Sequence, residues 1–104
     1  MNKALNILVT GCGGDIGQSI GKILVKSNYT KNLYGIDISE KNAAQFIYPN
    51  FTVGLPFTHP EYLKRLQAFV EKHEIDIVIP IAEPELRFFS DQNILDTIGE
   101  AKLI

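Results

Sequence analysis

The chain has 104 residues, enough for one domain with a small core. It is 45% hydrophobic and 21% charged with a net charge of −2, which excludes the clustered basic surface that nucleic acids require. No apolar run is long enough to span a bilayer, the N-terminus lacks the pattern of a signal peptide, and the single cysteine, Cys12, has no internal partner. A reducing, cytoplasmic location is the expectation from that cysteine usage.

Residues 6–10, "NILVT", form a continuous apolar run of the kind that a strand buried on both faces shows. A glycine cluster follows, and a helix is expected from Asp15 to about Ser27, with Ile16, Ile20, Ile23 and Leu24 as its apolar face. Gly17 and Gly21 share a face and would let the helix approach a sheet closely. Residues 32–39 read as a second strand ending near Asp37. Ser39 is placed to cap a short helix over 40–47, which Pro49 ends. Residues 51–56 read as a weak strand near a sheet edge because of Gly54 and Pro56. Thr58 and Glu61 have the spacing of a capping box for a helix through His73. "IDIVIPIA" (75–82) is the fourth strand, a helix is expected from Glu83 to Gly99, and "AKLI" begins a fifth strand.

The alternation predicts an α/β fold: a three-layer, Rossmann-like open parallel sheet of four to five strands with helices on both faces. Residues 1–104 read as a single domain. Because the chain stops just inside an apolar run, it also reads as the N-terminal part of a longer protein.

The residues with chemical potential gather at the carboxyl ends of the expected strands. The glycines have the spacing G-x-G-G-x-x-G, so strict G-x-G-x-x-G fails, with Ile16 where the last glycine belongs. The looser G-x-x-G-x-x-G, using Gly11, Gly14 and Gly17, fits, and it resembles extended short-chain dehydrogenases and sugar epimerases. Asp37 stands 20 residues after Gly17, where such folds carry a ribose-binding acid. The backbone N–H groups and dipole of a helix start favour an anion. Asp15 opposes that with its own charge, and the glycines could equally serve packing alone. Cys12 is either a thiol activated by the helix start or a small residue filling a tight turn. Glu83 and Glu85 lie past the fourth strand, where they either face a ligand or complement their own helix dipole; Arg87 is in reach of both. Gly11, Cys12, Gly13, Gly14, Asp15, Ile16, Asp37, Glu83 and Glu85 are therefore the candidate ligand-binding residues. No catalytic residue is assigned. His59 and His73 flank one helix without metal-ligand spacing, and no metal site is expected. No Walker lysine follows the glycines, because Gln18 and Ser19 stand there.

Taken together, "ILVTGCGGDIGQSI", "LYGIDIS", "VGLPFTHPEYLKRL" and "IDIVIPIAEPEL" resemble the N-terminal pre-ATP-grasp domain of carbamoyl phosphate synthetase large-subunit-like ligases. That resemblance implies a pocket-shaping scaffold domain, inactive alone and binding no cofactor by itself. It implies ATP and magnesium held by downstream ATP-grasp domains, a small-molecule carboxylate substrate, and C–N bond formation by the parent. Self-association stays open, with no membrane or nucleic-acid partner. The alternatives are an NAD(P)-binding Rossmann fragment of an epimerase or dehydrogenase, and a stand-alone partner-binding module exposing Tyr34, Phe46, Phe88 or Phe89.

Overall fold

The computed structural model describes residues 4–104; the first three residues of the stretch judged above to lack a leader lie outside the described residues. Six strands form one sheet in the order β3-β2-β1-β4-β6-β5. They are β1 (Leu5–Thr10), β2 (Thr30–Asp37), β3 (Asn50–Val53), β4 (Ile77–Pro80), β5 (Thr97–Ile98) and β6 (Ala101–Leu103). All pairings are parallel except β5 with β6. The helices are α1 (Asp15–Leu24), α2 (Ala44–Ile47), α3 (Tyr62–Lys72) and α4 (Glu83–Asp91).

The apolar run of β1 makes it the central strand. Alternate side chains of a strand face opposite ways. Ile7 and Val9 pack with Leu33, Ala44 and Tyr48 beneath α1 and α2. Leu8 packs with Leu66, Val70, Val78 and Phe89 beneath α3 and α4. The result is the expected three-layer, Rossmann-like α/β fold. The chain runs outward from β1 to β3, then crosses back to β4 on the other side of β1. That reversal opens a crevice at the carboxyl ends of β1 and β4, the usual ligand position in such sheets.

Helix α1 meets the sheet through Gly17 and Gly21, flanked by the half-buried Ile20 and Leu24, while the other two residues of its expected apolar face turn outward. Gly17 and Gly21 are buried, whereas Ile16 and Ile23 are 66% and 69% exposed. A Cβ on Gly17 would lie 2.6 Å from the Cys12 Cα, and one on Gly21 would lie 2.5 Å from the Tyr48 ring. The Tyr48 hydroxyl donates to the Gly17 carbonyl at 2.6 Å, so its polar end is satisfied in the core.

Several boundaries differ from expectation. The helix expected to reach Gly99 stops at Asp91. Asn93 takes a left-handed φ of 59°, and the N–H of Ile94 bonds the Phe89 carbonyl at 2.8 Å, closing a Schellman motif. Gly99, also at φ 59°, then turns a two-residue hairpin between β5 and β6, which adds a sixth strand. The Thr58–Glu61 capping box does not form. Pro60 disfavours helical backbone at His59, α3 starts at Tyr62, and the His59 Nδ1 accepts from the Glu61 N–H at 3.0 Å. Ser39 does not cap a helix over 40–47 either. Asn42 Oδ1 instead accepts from the Ala44 N–H at 2.9 Å, just ahead of the short α2. β3 does lie at a sheet edge, as Gly54 and Pro56 imply.

Helix α3 ends in a second Schellman motif, with Glu74 in the left-handed region at φ 51°. A side chain costs about 1 kcal/mol there relative to glycine. Urea denaturation should therefore show Glu74→Gly stabilised by roughly 0.5–1 kcal/mol. Gly17→Ala should lose about 1–3 kcal/mol, because its new methyl meets backbone that cannot step aside.

Candidate functional site

The crevice is built from strand ends and the loop that follows β1. After Thr10, Gly11 takes φ 68°, a turn that favours glycine. The N–H groups of Gly11 and Cys12 both donate to the Ile36 carbonyl, at 2.8 and 3.2 Å. The Gly13 N–H donates to Asp37 Oδ1 at 3.1 Å, and Gln18 Nε2 donates to the Gly13 carbonyl at 2.8 Å. The loop is thus tied to the end of β2 from one side and to α1 from the other. Gly14 is the N-cap of α1, with no side-chain cap, and a Cβ there would meet nothing within 4 Å. The three glycines of G-x-x-G-x-x-G therefore have separate tasks. Gly11 makes the turn, Gly14 leaves open space at the start of α1, and Gly17 brings the helix against the loop.

Asp37 is committed in part. Its Oδ2 accepts from the Ser39 N–H at 3.1 Å and from Asn42 Nδ2 at 3.4 Å, while Oδ1 serves Gly13. A carboxylate offers about four acceptor positions, so roughly one stays open. Asp37 lines a pocket of about 550 Å³, together with Gly11, Ala82 and Glu85. Ile38, Val53, Leu55, Phe57 and Phe69 give that pocket its apolar walls, and the exposed Arg65 also lines it.

Within the pocket wall, Glu85 is only 8% exposed. Thr10 Oγ1 donates to its Oε1 at 2.5 Å, and the Tyr62 hydroxyl donates to its Oε2. Burial raises the Glu85 carboxyl above its ordinary range, the hydroxyl donors oppose that, and the negative field of Asp37 adds to it. Burial and the neighbouring Glu85 charge push the Tyr62 phenol up in turn.

Of the nine candidate residues, Gly11, Asp37 and Glu85 line this pocket. Gly13 and Gly14 form the adjoining loop, and Asp15 and Ile16 are exposed at the helix start. Cys12 is fully buried, with its thiol pushed up to about 12 by burial and then by Asp37, so the activated-thiol alternative fails. Glu83 lies outside the pocket and pairs with Arg87 at 3.4 Å on the surface of α4. Thr10 and Tyr62 were not singled out from the sequence as pocket residues. Thr10 reads there as the end of an apolar strand, and Tyr62 falls inside the helix expected to run through His73. Of the four aromatics considered for a partner surface, Phe46 is exposed, Tyr34 and Phe88 are half-buried, and Phe89 is in the core. Among the described residues no three His, Cys, Asp or Glu side chains are placed to share a metal ion, and no helix is long and apolar enough to cross a membrane.

Glu85 makes stability depend on pH in a definite direction. Its folded carboxyl holds a proton more tightly than the unfolded chain, whose ordinary value is 4.5. Its contribution is therefore full below that value and is lost as pH rises through the folded one. Urea denaturation should show the stability of wild type relative to Glu85→Gln falling from pH 4.5 to pH 8, and a constant difference would contradict the assignment.

No protein-family model and no curated protein matches the chain. Solved structures do match. A partial consensus L-threonine 3-dehydrogenase is 26% identical, with a TM-score of 0.56, over 74% of this chain and 23% of its own. L-Threonine dehydrogenase from Clostridium difficile is 22% identical, with a TM-score of 0.57, over 85% and 29%. A dTDP-glucose 4,6-dehydratase from Bacillus anthracis, solved in complex with NAD, is 18% identical, with a TM-score of 0.57, over 83% and 29%. The chain spans about a quarter of the length of these proteins. They overturn the pre-ATP-grasp, carbamoyl phosphate synthetase-like expectation, and with it the C–N ligase parent, its ATP and magnesium, and a domain without its own cofactor. The motif that carried that resemblance, "IDIVIPIAEPEL", is a buried parallel strand followed by a helix with an acidic first turn, an arrangement not peculiar to ligases. In fold, this chain is similar to about a quarter of a dehydrogenase and of a nucleotide-sugar dehydratase.

Proposed function

We propose that this chain provides the NAD-binding module of an oxidoreductase or epimerase-type enzyme, holding chiefly the adenosine and pyrophosphate half of the cofactor. The observation that carries this reading is the division of labour among Gly11, Gly14 and Gly17. Turn, open backbone and tight helix contact are what a dinucleotide loop needs, in that order. The 26% identity to an L-threonine 3-dehydrogenase supports it further. The residues present fit the group. Backbone N–H groups at the start of α1 would receive the pyrophosphate, aided by the helix dipole. The open acceptor position of Asp37 would take a ribose hydroxyl. The apolar pocket beside Asp37 would receive the base.

NAD supplies hydride transfer when bound. The chain's own residues bind and orient it. Gln18 and Asp37 hold the loop in its shape before any ligand arrives, which lowers the ordering cost of binding. Asp37 also disfavours the 2′-phosphate of NADP by like charge. Asp15, exposed in the first turn of α1, weakens phosphate binding by the same physics.

Calorimetry on the chain should detect NADH with a Kd below about 1 mM, and NADPH should bind roughly tenfold more weakly. Asp37→Ala should weaken NADH at least tenfold. Asp15→Asn should tighten it by roughly twofold to fivefold at low salt. Absence of NADH binding at about 1 mM would overturn the reading.

A further inference from the structure

The buried cluster of Thr10, Tyr62 and Glu85 has no part in holding the ribose or the phosphates, yet it lines the same pocket as Asp37. All three residues are buried, and the walls around them are largely apolar. In such a pocket a few polar groups decide which ligand fits and how it lies. The hydrogen count of the cluster is decisive. With the Glu85 carboxyl ionised, Thr10 and Tyr62 supply the only hydroxyl protons of the cluster, and both are spent on Glu85, one on each carboxylate oxygen. What the cluster can still offer a ligand is lone pairs: the remaining acceptor positions of Glu85 and those of the two hydroxyl oxygens. Arg65 also lines the pocket, but it is exposed and, among the described residues, forms an ion pair with neither Glu85 nor Asp37.

We infer that this cluster is a specificity determinant that reads the base of the bound nucleotide, with Glu85 accepting a hydrogen bond from an exocyclic amino group. The inference rests on the dinucleotide reading. An aminopurine such as adenine supplies a donor to this wall. A base with a carbonyl at that position sets an oxygen against a carboxylate. A site built for one hydrogen-bonding pattern rejects its opposite because the buried groups are left unpaired. Asp37 and Glu85 thus divide recognition between them: the first reads the sugar, the second reads the base.

The test compares binding of NADH and of reduced nicotinamide hypoxanthine dinucleotide, which carries a carbonyl oxygen in place of the adenine amino group. Titrations are followed by cofactor fluorescence at pH 8. Wild type should prefer NADH by roughly tenfold to a hundredfold, the scale of a hydrogen bond to a charged group. Glu85→Gln presents a donor as well as an acceptor, so its preference should fall towards unity. Asp37→Ala should weaken both ligands by the same factor and keep the ratio. Equal wild-type affinities for the two ligands would overturn the inference, whether or not Glu85→Gln folds by circular dichroism. A folded Glu85→Gln variant with the wild-type ratio would also overturn it. Failure of wild type to bind either dinucleotide would instead sink the dinucleotide reading itself, whereas binding without base preference would sink only the role of Glu85.

Discussion

The close contact between α1 and the end of β1 is the constraint on which the rest of the crevice depends. Gly17 lies against the backbone of Cys12, and Gly21 and Gly35 clear a slot for the Tyr48 ring. The ring fills that slot and bonds the Gly17 carbonyl at 2.6 Å. A larger residue at any of these glycines would lift the helix from the sheet. The N-terminus of α1 would then leave the carboxyl edge where Gly11, Asp37 and Glu85 meet. Packing beneath the loop therefore fixes where backbone N–H groups are presented above it. Cys12 takes part in this only as a small buried side chain.

A second layer of organisation is electrostatic. Asp37 binds the loop through Gly13 and the next turn through Ser39 and Asn42. Its charge is spread over three donors and still faces the pocket. Glu85 is more deeply buried and is held by two hydroxyl groups. Its raised proton affinity reflects desolvation above all. The two carboxyl groups present acceptors to one cavity from different sides. A ligand rich in hydroxyl and amino donors suits such a cavity, and on the proposed dinucleotide reading its phosphates would lie at the helix start outside it.

Much of this was legible from residue pattern. The apolar run of β1, the beginning of α1, the strand order class and the place of Asp37 follow from hydrophobic periodicity and glycine spacing. Other features depend on competition that local pattern does not reveal. Ile16 and Ile23 have helical spacing with Ile20, yet Gly17 and Gly21 win the sheet contact because only they permit close approach. Thr58 and Glu61 have capping-box spacing, but Pro60 moves the helix start. The segment after Asp91 has helical composition, but left-handed Asn93 and Gly99 turn it into a hairpin. Glu83 and Glu85 are two residues apart and read alike. Helix geometry sends one to the surface with Arg87 and the other into the core with Thr10 and Tyr62. The ligase resemblance rested on a strand–helix pattern common to parallel sheets, whereas the separate tasks of the three loop glycines appear only in three dimensions.

Amide chemical-shift mapping tests the central claim most directly, because it reports the place of contact as well as its occurrence. Titrating the 15N-labelled chain with NADH should shift the amides of Gly13, Gly14, Asp15 and Ile16, together with those of Ile38 and Ala82. The hairpin of β5 and β6 should stay unmoved. Saturable shifts confined to that hairpin or to the outer face of α4, or no shift at the glycine loop, would contradict the account.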